Sequence, residues 1–75
     1  MFDKVIFAER LKTLRTQNNL SMSGLAAAVG VSKQAIGQFE KSSNNPNVDT
    51  LVVLADYFDV SIDYLVGRSD DPTRR

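Results

Sequence analysis

A single residue, Val31, separates two signals for a helix boundary, and this spacing limits the folds that are open to the chain. Gly30 is a typical helix end, because glycine readily adopts the left-handed conformation that closes a helix. Ser32 is a typical helix start, since its hydroxyl accepts a hydrogen bond from a backbone N–H of the first turn. The sequence therefore predicts two helices that meet at a steep angle across a tight turn.

Hydrophobic periodicity and capping residues divide the rest of the chain into short helices. Apolar residues recur at spacings of three and four along residues 3–18 and 48–58, as they do in amphipathic helices. The predicted helices cover residues 3–18, 22–29, 33–41 and 48–58, and a short fifth helix begins after Ser61 and ends at Gly67. The last four helices are capped by Ser21, Ser32, Asn47 and Ser61. No segment alternates with the period of a strand. The predicted fold class is all-α, with five short helices.

The apolar faces of these helices give the predicted core. Its members are Phe7, Leu11, Leu14, Leu25, Ala26, Val29, Ile36, Phe39, Leu51, Leu54, Ala55, Phe58, Ile62 and Leu65. Residues 69–75 lack a large apolar side chain, so they predict a flexible polar tail after a domain that covers residues 1–68.

The residue types exclude several classes of function. The chain has no cysteine and no histidine, so disulfides, thiolate or imidazole metal ligands and a histidine base are impossible. No paired acid and base and no glycine-rich phosphate loop is present. We therefore predict no enzyme activity, no metal, no cofactor and no small-molecule ligand. Apolar runs fall far short of the roughly 20 residues of a membrane span, which favours a soluble intracellular protein.

The charge balance does not decide whether the protein binds a nucleic acid. Nine basic and nine acidic residues give zero net charge, which by itself does not favour a nucleic acid. Basic residues exceed acidic ones by three in residues 1–41, and the reverse holds in residues 42–75. Such asymmetry can orient the N-terminal half toward a polyanion, but it also arises by chance in small proteins.

The third predicted helix carries the most informative surface. Opposite its apolar residues lie Lys33, Gln34, Gly37, Gln38 and Lys41. A glutamine amide can pair bidentately with adenine in the major groove, and lysine can donate to guanine or to a phosphate. An ordinary solvated helix face has the same composition, because glutamine and lysine are good helix formers. Residue types alone therefore leave DNA recognition and a plain exposed face as alternatives.

A series of motifs in fixed order runs from residue 7 to residue 67. They are Arg10-Leu11-x-x-Leu14-Arg15, Leu20-Ser21, Leu25-Ala26, Gly30-Val31-Ser32, Ile36, Glu40, Pro46, Leu51-x-x-Leu54-Ala55 and Val60-Ser61-x-Asp63-Tyr64-Leu65-x-Gly67. In this register the chain resembles the phage repressor and Cro family of DNA-binding domains. The resemblance implies a lambda-repressor-like domain with a helix-turn-helix at helices 2 and 3.

The resemblance also implies roles for individual residues. Base edges would face Lys33, Gln34, Gly37 and Gln38. The DNA backbone would be contacted by Ser21, Ser23, Ser32, Lys41, Ser43, Asn44 and Asn45, although residues 43–45 also suit a plain polar loop. Arg15 and Glu40 match a pair that orients the recognition helix in relatives.

Two residues depart from the family pattern. Met22 replaces a glutamine that in relatives bonds a phosphate, so that clamp is lost. Met22 is then an exposed side chain without a role, a partly buried filler or a contact to a thymine methyl. Ser42 stands where the family usually has a glycine, and a residue other than glycine rarely adopts a positive φ.

The resemblance implies a cytoplasmic, nucleoid-associated regulator of bacterial or phage origin that binds double-stranded DNA and represses sterically. A homodimer that pairs through the C-terminal region, where Tyr57, Phe58, Tyr64 and Leu65 supply apolar area, would read an inverted repeat. A phage switch protein, a restriction-modification controller and an antitoxin share these features. The alternative function is a protein-interaction module of the same fold, such as an antitoxin or anti-regulator with weak or no DNA binding, which zero net charge and Met22 favour.

Overall fold

The computed structural model describes residues 2–74, and this range contains five helices and no strand. They are α1 (Lys4–Gln17), α2 (Met22–Val29), α3 (Lys33–Glu40), α4 (Val48–Phe58) and α5 (Ile62–Leu65). The predicted all-α class is confirmed, and each predicted boundary lies within two residues of the observed one. None of these helices is long and apolar enough to cross a membrane.

Local capping explains where the helices begin and end. Each predicted cap accepts a hydrogen bond from the backbone N–H three residues further along the chain; these caps are Ser21, Ser32, Asn47 and Ser61. The carboxylate of Asp3 caps α1 in the same way. Gly30 closes α2 with a φ of 76°, in the left-handed conformation that its position after the helix predicts.

The five helices enclose one hydrophobic core. Its fully buried side chains are Phe7, Leu11, Leu25, Ile36, Leu54 and Leu65, all of which the periodicity predicts. The prediction that Ile62 also points inward is wrong, because its side chain is 40% exposed. Ile62 begins the short helix α5 and lines a surface cavity with Val52 of α4, where none of the other described residues covers it. Val66 is buried beside Leu65 instead.

The segment that follows Arg68 lies along α4 and α5. The backbone N–H of Ser61 donates to the carbonyl of Pro72 over 3.0 Å. At the end of the segment, a guanidinium nitrogen of Arg74 lies 2.6 Å from a carboxylate oxygen of Asp56. A domain limit at residue 68 and a flexible tail beyond it stay predictions.

Gly67 gives a prediction about stability. Its φ is 87°, and an added Cβ would lie 3.1 Å from the Cβ of Asp3 and 3.3 Å from that of Ile6. Gly30 also has a positive φ, but an added Cβ there meets nothing within 4 Å. We expect Gly30→Ala to cost about 1–2 kcal/mol, the left-handed penalty alone, and Gly67→Ala to cost more because α1 must also shift. Urea unfolding of both variants measures the difference, and equal losses would contradict this account.

Candidate nucleic-acid interface

The turn between α2 and α3 is closed by hydrogen bonds to one carbonyl. The backbone N–H groups of Gly30 and Val31 both donate to the carbonyl of Ala26, over 2.9 and 3.0 Å. Two residues later α3 begins, so it leaves the turn at once. Its apolar side is fixed in the core, where Ile36 is fully buried and Phe39 is 5% exposed. The direction of α3 therefore follows from the turn and from its buried side.

The predicted base-contacting residues lie on the outward side of α3. Lys33, Gln34 and Gln38 are exposed, and Gly37 is half-buried. Met22 of α2 is also half-buried, and its sulfur would lie 4.0 Å from a Cβ added at Gly37. Of the three alternatives for Met22, the structure matches the partly buried filler. Because residue 37 has no side chain, the outward surface of α3 is recessed at this position.

The residues predicted to contact the DNA backbone are all exposed; they are Ser21, Ser23, Ser32, Lys41, Ser43, Asn44 and Asn45. The loop after α3 is tied to the end of that helix. Ser43 donates from its backbone N–H and its hydroxyl to the carbonyl of Gln38, over 3.0 and 3.2 Å. The side-chain amide of Asn44 donates to Gln38 Oε1 over 3.3 Å. The structure thus joins one predicted base-contacting residue to two predicted backbone-contacting ones, whose roles stay predictions.

Ser42 adopts the backbone conformation that a glycine would have. Its φ is 59°, and its hydroxyl donates to the carbonyl of Lys4 at the start of α1 over 3.2 Å. A residue other than glycine is strained in this conformation. The hydrogen bond to α1 offsets part of that strain and holds the loop in place.

Arg15 and Glu40 form a mostly buried ion pair between α1 and the end of α3. Arg15 Nε donates to Glu40 Oε2 over 2.7 Å and Nη2 donates to Oε1 over 3.1 Å, while Nη1 reaches the carbonyl of Leu20 over 2.8 Å. The side chains are only 12% and 4% exposed. The hydrogen bond to Glu40 raises the pKa of Arg15 above its usual range, against the opposing effect of burial. That this pair orients α3 for DNA stays a prediction.

The two ends of the molecule differ in charge. Lys33 begins α3 and Lys41 caps its end; both are exposed, and the one acid of that helix, Glu40, is paired with Arg15. Acidic residues are concentrated on α4, α5 and the segment after them. Among residues 2–74, no cluster of acidic side chains is suited to hold a metal ion. This distribution of charge favours the approach of a polyanion from the α3 side.

Arg10 makes contacts that the sequence does not reveal. Its guanidinium carbon lies 4.1 Å from the centre of the Tyr64 ring, and its Nη1 donates to the backbone carbonyls of Tyr64 and Ser69. The same side chain lies 2.7 Å from the carboxylate of Asp70. Arg10 therefore holds α1 against α5, away from the α3 surface. The only hint in the sequence is that Arg10 and Tyr64 both belong to the motifs that carry the family resemblance.

Comparison with known proteins places these features in one family. The HTH_3 model, described as helix-turn-helix, matches residues 11–65. The uncharacterized HTH-type transcriptional regulator YobD of Bacillus subtilis is 42% identical over 67 residues, which cover 89% of this chain. Those residues span 60% of YobD, so the chain corresponds to part of that relative's length.

Two solved structures have the same fold. The P22 c2 repressor in complex with a synthetic operator superposes with a TM-score of 0.80 at 33% identity, covering 85% of this chain and 97% of that one. The restriction-modification controller protein C.AhdI from Aeromonas hydrophila gives a TM-score of 0.76 at 32% identity, with coverages of 84% and 96%. These relatives are regulators rather than enzymes, as the sequence predicts.

Proposed function

The chain belongs to the helix-turn-helix family, and from this premise we propose that it is a sequence-specific regulator that binds double-stranded DNA through α3. The proposal rests on which side chains of α3 are buried and which are exposed. α3 buries Ile36 and Phe39 in the core and leaves Lys33, Gln34 and Gln38 exposed on its other side. Amide and ammonium groups of this kind suit the base edges of a major groove. The P22 c2 repressor, which has the same fold, is in complex with a synthetic operator, and this supports DNA as the partner.

The proposed active form is a homodimer that pairs through α4 and α5. Of the residues predicted to supply apolar area for pairing, Tyr57 is 45% exposed, but Leu65 is fully buried in the core and is not available. The exposed apolar area comes instead from Tyr57 with Val52, Val53 and Ile62, which are each 39–40% exposed in one copy. Two copies would place two recognition helices in successive major grooves, about 34 Å apart, as the phage repressors that define this docking geometry do. The molecule measures 28 by 23 by 21 Å, a size compatible with that spacing. The operator would then be an inverted repeat.

The proposed mode of action is steric repression in the cytoplasm, on promoter DNA of the nucleoid. A dimer that covers two half-sites blocks access to the bases beneath it. This mode of action fits a phage switch protein, a restriction-modification controller and an antitoxin equally well.

The proposal is tested by selecting bound duplexes from a randomised pool. The wild-type chain is expected to enrich an inverted repeat, and the double variant Gln34→Ala, Gln38→Ala is expected to lose or relax that preference. Each bidentate contact contributes about 1–3 kcal/mol of discrimination, so the loss is measurable. Gln17→Ala on α1, which changes a glutamine outside the interface, is the matched control. No enrichment by the wild-type chain at low salt would contradict DNA recognition and favour the protein-interaction module.

A further inference from the structure

The orientation of the Asn44 amide is fixed by its own neighbour. The backbone N–H of Asn45 donates to Asn44 Oδ1 over 3.0 Å. A backbone N–H can only donate, so the oxygen of the Asn44 amide must face it. The other end of the amide is then a donor, and it points at Gln38 Oε1 over 3.3 Å. The orientation of both amide groups follows from this chain of hydrogen bonds.

This arrangement leaves Gln38 with a donor end that is free. Its oxygen accepts from Asn44, while its own NH2 group has no partner among the hydrogen bonds of the described residues. A glutamine that pairs with adenine uses its oxygen and its nitrogen together, because adenine presents one donor and one acceptor in the major groove. Guanine presents two acceptors there, N7 and O6, which match a free NH2 group.

We propose that Asn44 is a positioning residue that sets which base Gln38 reads. By holding Gln38 Oε1 at the loop, it directs the second lone pair of that oxygen away from the groove and turns the donor end of Gln38 toward it, which favours guanine over adenine at the facing base pair. The inference rests on the proposed function, since it requires that α3 enters a major groove. It gives Asn44 an effect on base preference in addition to its predicted contact with the DNA backbone.

Asn44→Asp is the informative substitution. A carboxylate only accepts hydrogen bonds, so one oxygen still accepts from the Asn45 N–H and the other faces Gln38. Gln38 must then reverse its amide and donate to Asp, which turns its oxygen toward the groove. An outward oxygen accepts from adenine N6 or cytosine N4. The preference at one base pair of each half-site is expected to shift from guanine toward adenine or cytosine by about fivefold or more.

Asn45→Asp is the matched control. It adds the same negative charge one residue further on, and the Asn45 side chain makes no hydrogen bond to Gln38 among those of the described residues. Repulsion by phosphates should lower its affinity for every duplex alike. Asn44→Ala is a second variant, which releases Gln38 and should raise the relative affinity for adenine without adding charge.

The measurement is competition binding to duplexes that carry each of the four base pairs at each position of the selected half-site. A shifted preference in Asn44→Asp, with the wild-type preference kept in Asn45→Asp, supports the inference. The same preference in both variants overturns it while leaving the proposed function intact. A wild-type chain that prefers no sequence overturns the proposed function and the inference with it. Thermal unfolding of each variant confirms that the compared proteins are folded.

Discussion

Replacing Arg15 with methionine is expected to lower the free energy of unfolding by roughly 2–4 kcal/mol. The substitution keeps most of the side-chain volume but leaves the carboxylate of Glu40, which is only 4% exposed, without its cation. A domain of this size has a total stability of about 4–11 kcal/mol, so a large part of it is lost. The expected phenotype is a chain that is marginally folded at room temperature.

Two further variants test whether the loss of stability comes from the unpaired carboxylate of Glu40. Arg74→Met removes an exposed ion pair with Asp56 and should leave stability unchanged within error, because such pairs are screened by solvent. The double variant Arg15→Met, Glu40→Leu removes both buried charges and should recover much of the loss. Urea unfolding measures all three. A single variant Arg15→Met that is as stable as Arg74→Met would contradict the buried ion pair.

DNA affinity is expected to fall about 100-fold between 50 and 200 mM salt. Lys41, just after α3, is a predicted backbone contact, and the ammonium of Lys33 neutralises a nearby phosphate while it faces the base edges, so two copies bring four lysines to the DNA. Each neutralised phosphate contributes about 0.9 to the slope of log affinity against log salt, which gives a slope of about −3.6. Binding to a protein partner, the alternative function, should depend on salt far less steeply.

Lysine variants test how many phosphate contacts the protein makes. Lys41→Gln should make the slope shallower by about 1.8 for a dimer, since it removes one phosphate contact from each copy. Lys12→Gln, which removes a lysine of α1 that the proposed interface does not use, is the control and should leave the slope unchanged. Fluorescence anisotropy of a labelled duplex at several salt concentrations gives all three slopes. Equal slopes for Lys41→Gln and the wild type would exclude Lys41 from the phosphate contacts.

Most of the fold is predictable because its signals are local. Ser21, Ser32, Asn47 and Ser61 each start a helix through a hydrogen bond to a residue three positions away, so the sequence alone contains both partners. The inward sides of α1 to α4 follow from periodicity over two or more turns. The outward side of α3, and with it most of the candidate interface, is defined by the same periodicity.

The remaining features depend on contacts that periodicity does not contain. Ile62 is exposed because α5 is a single turn, too short for its spacing from Leu65 to define a buried side. The stacking of Arg10 on Tyr64 joins residues 54 positions apart. The contact between Asn44 and Gln38 depends on the path of the loop after α3, which begins with the positive φ of Ser42.

Binding of DNA through α3 and the loop after it can be located residue by residue. The most direct test is a titration of the isotope-labelled protein with the selected duplex, followed by amide chemical shifts. The largest changes are expected in residues 32–45 and at the start of α2, with smaller changes in α4 and α5. Changes centred on α4 and α5, or none at low salt, would contradict it.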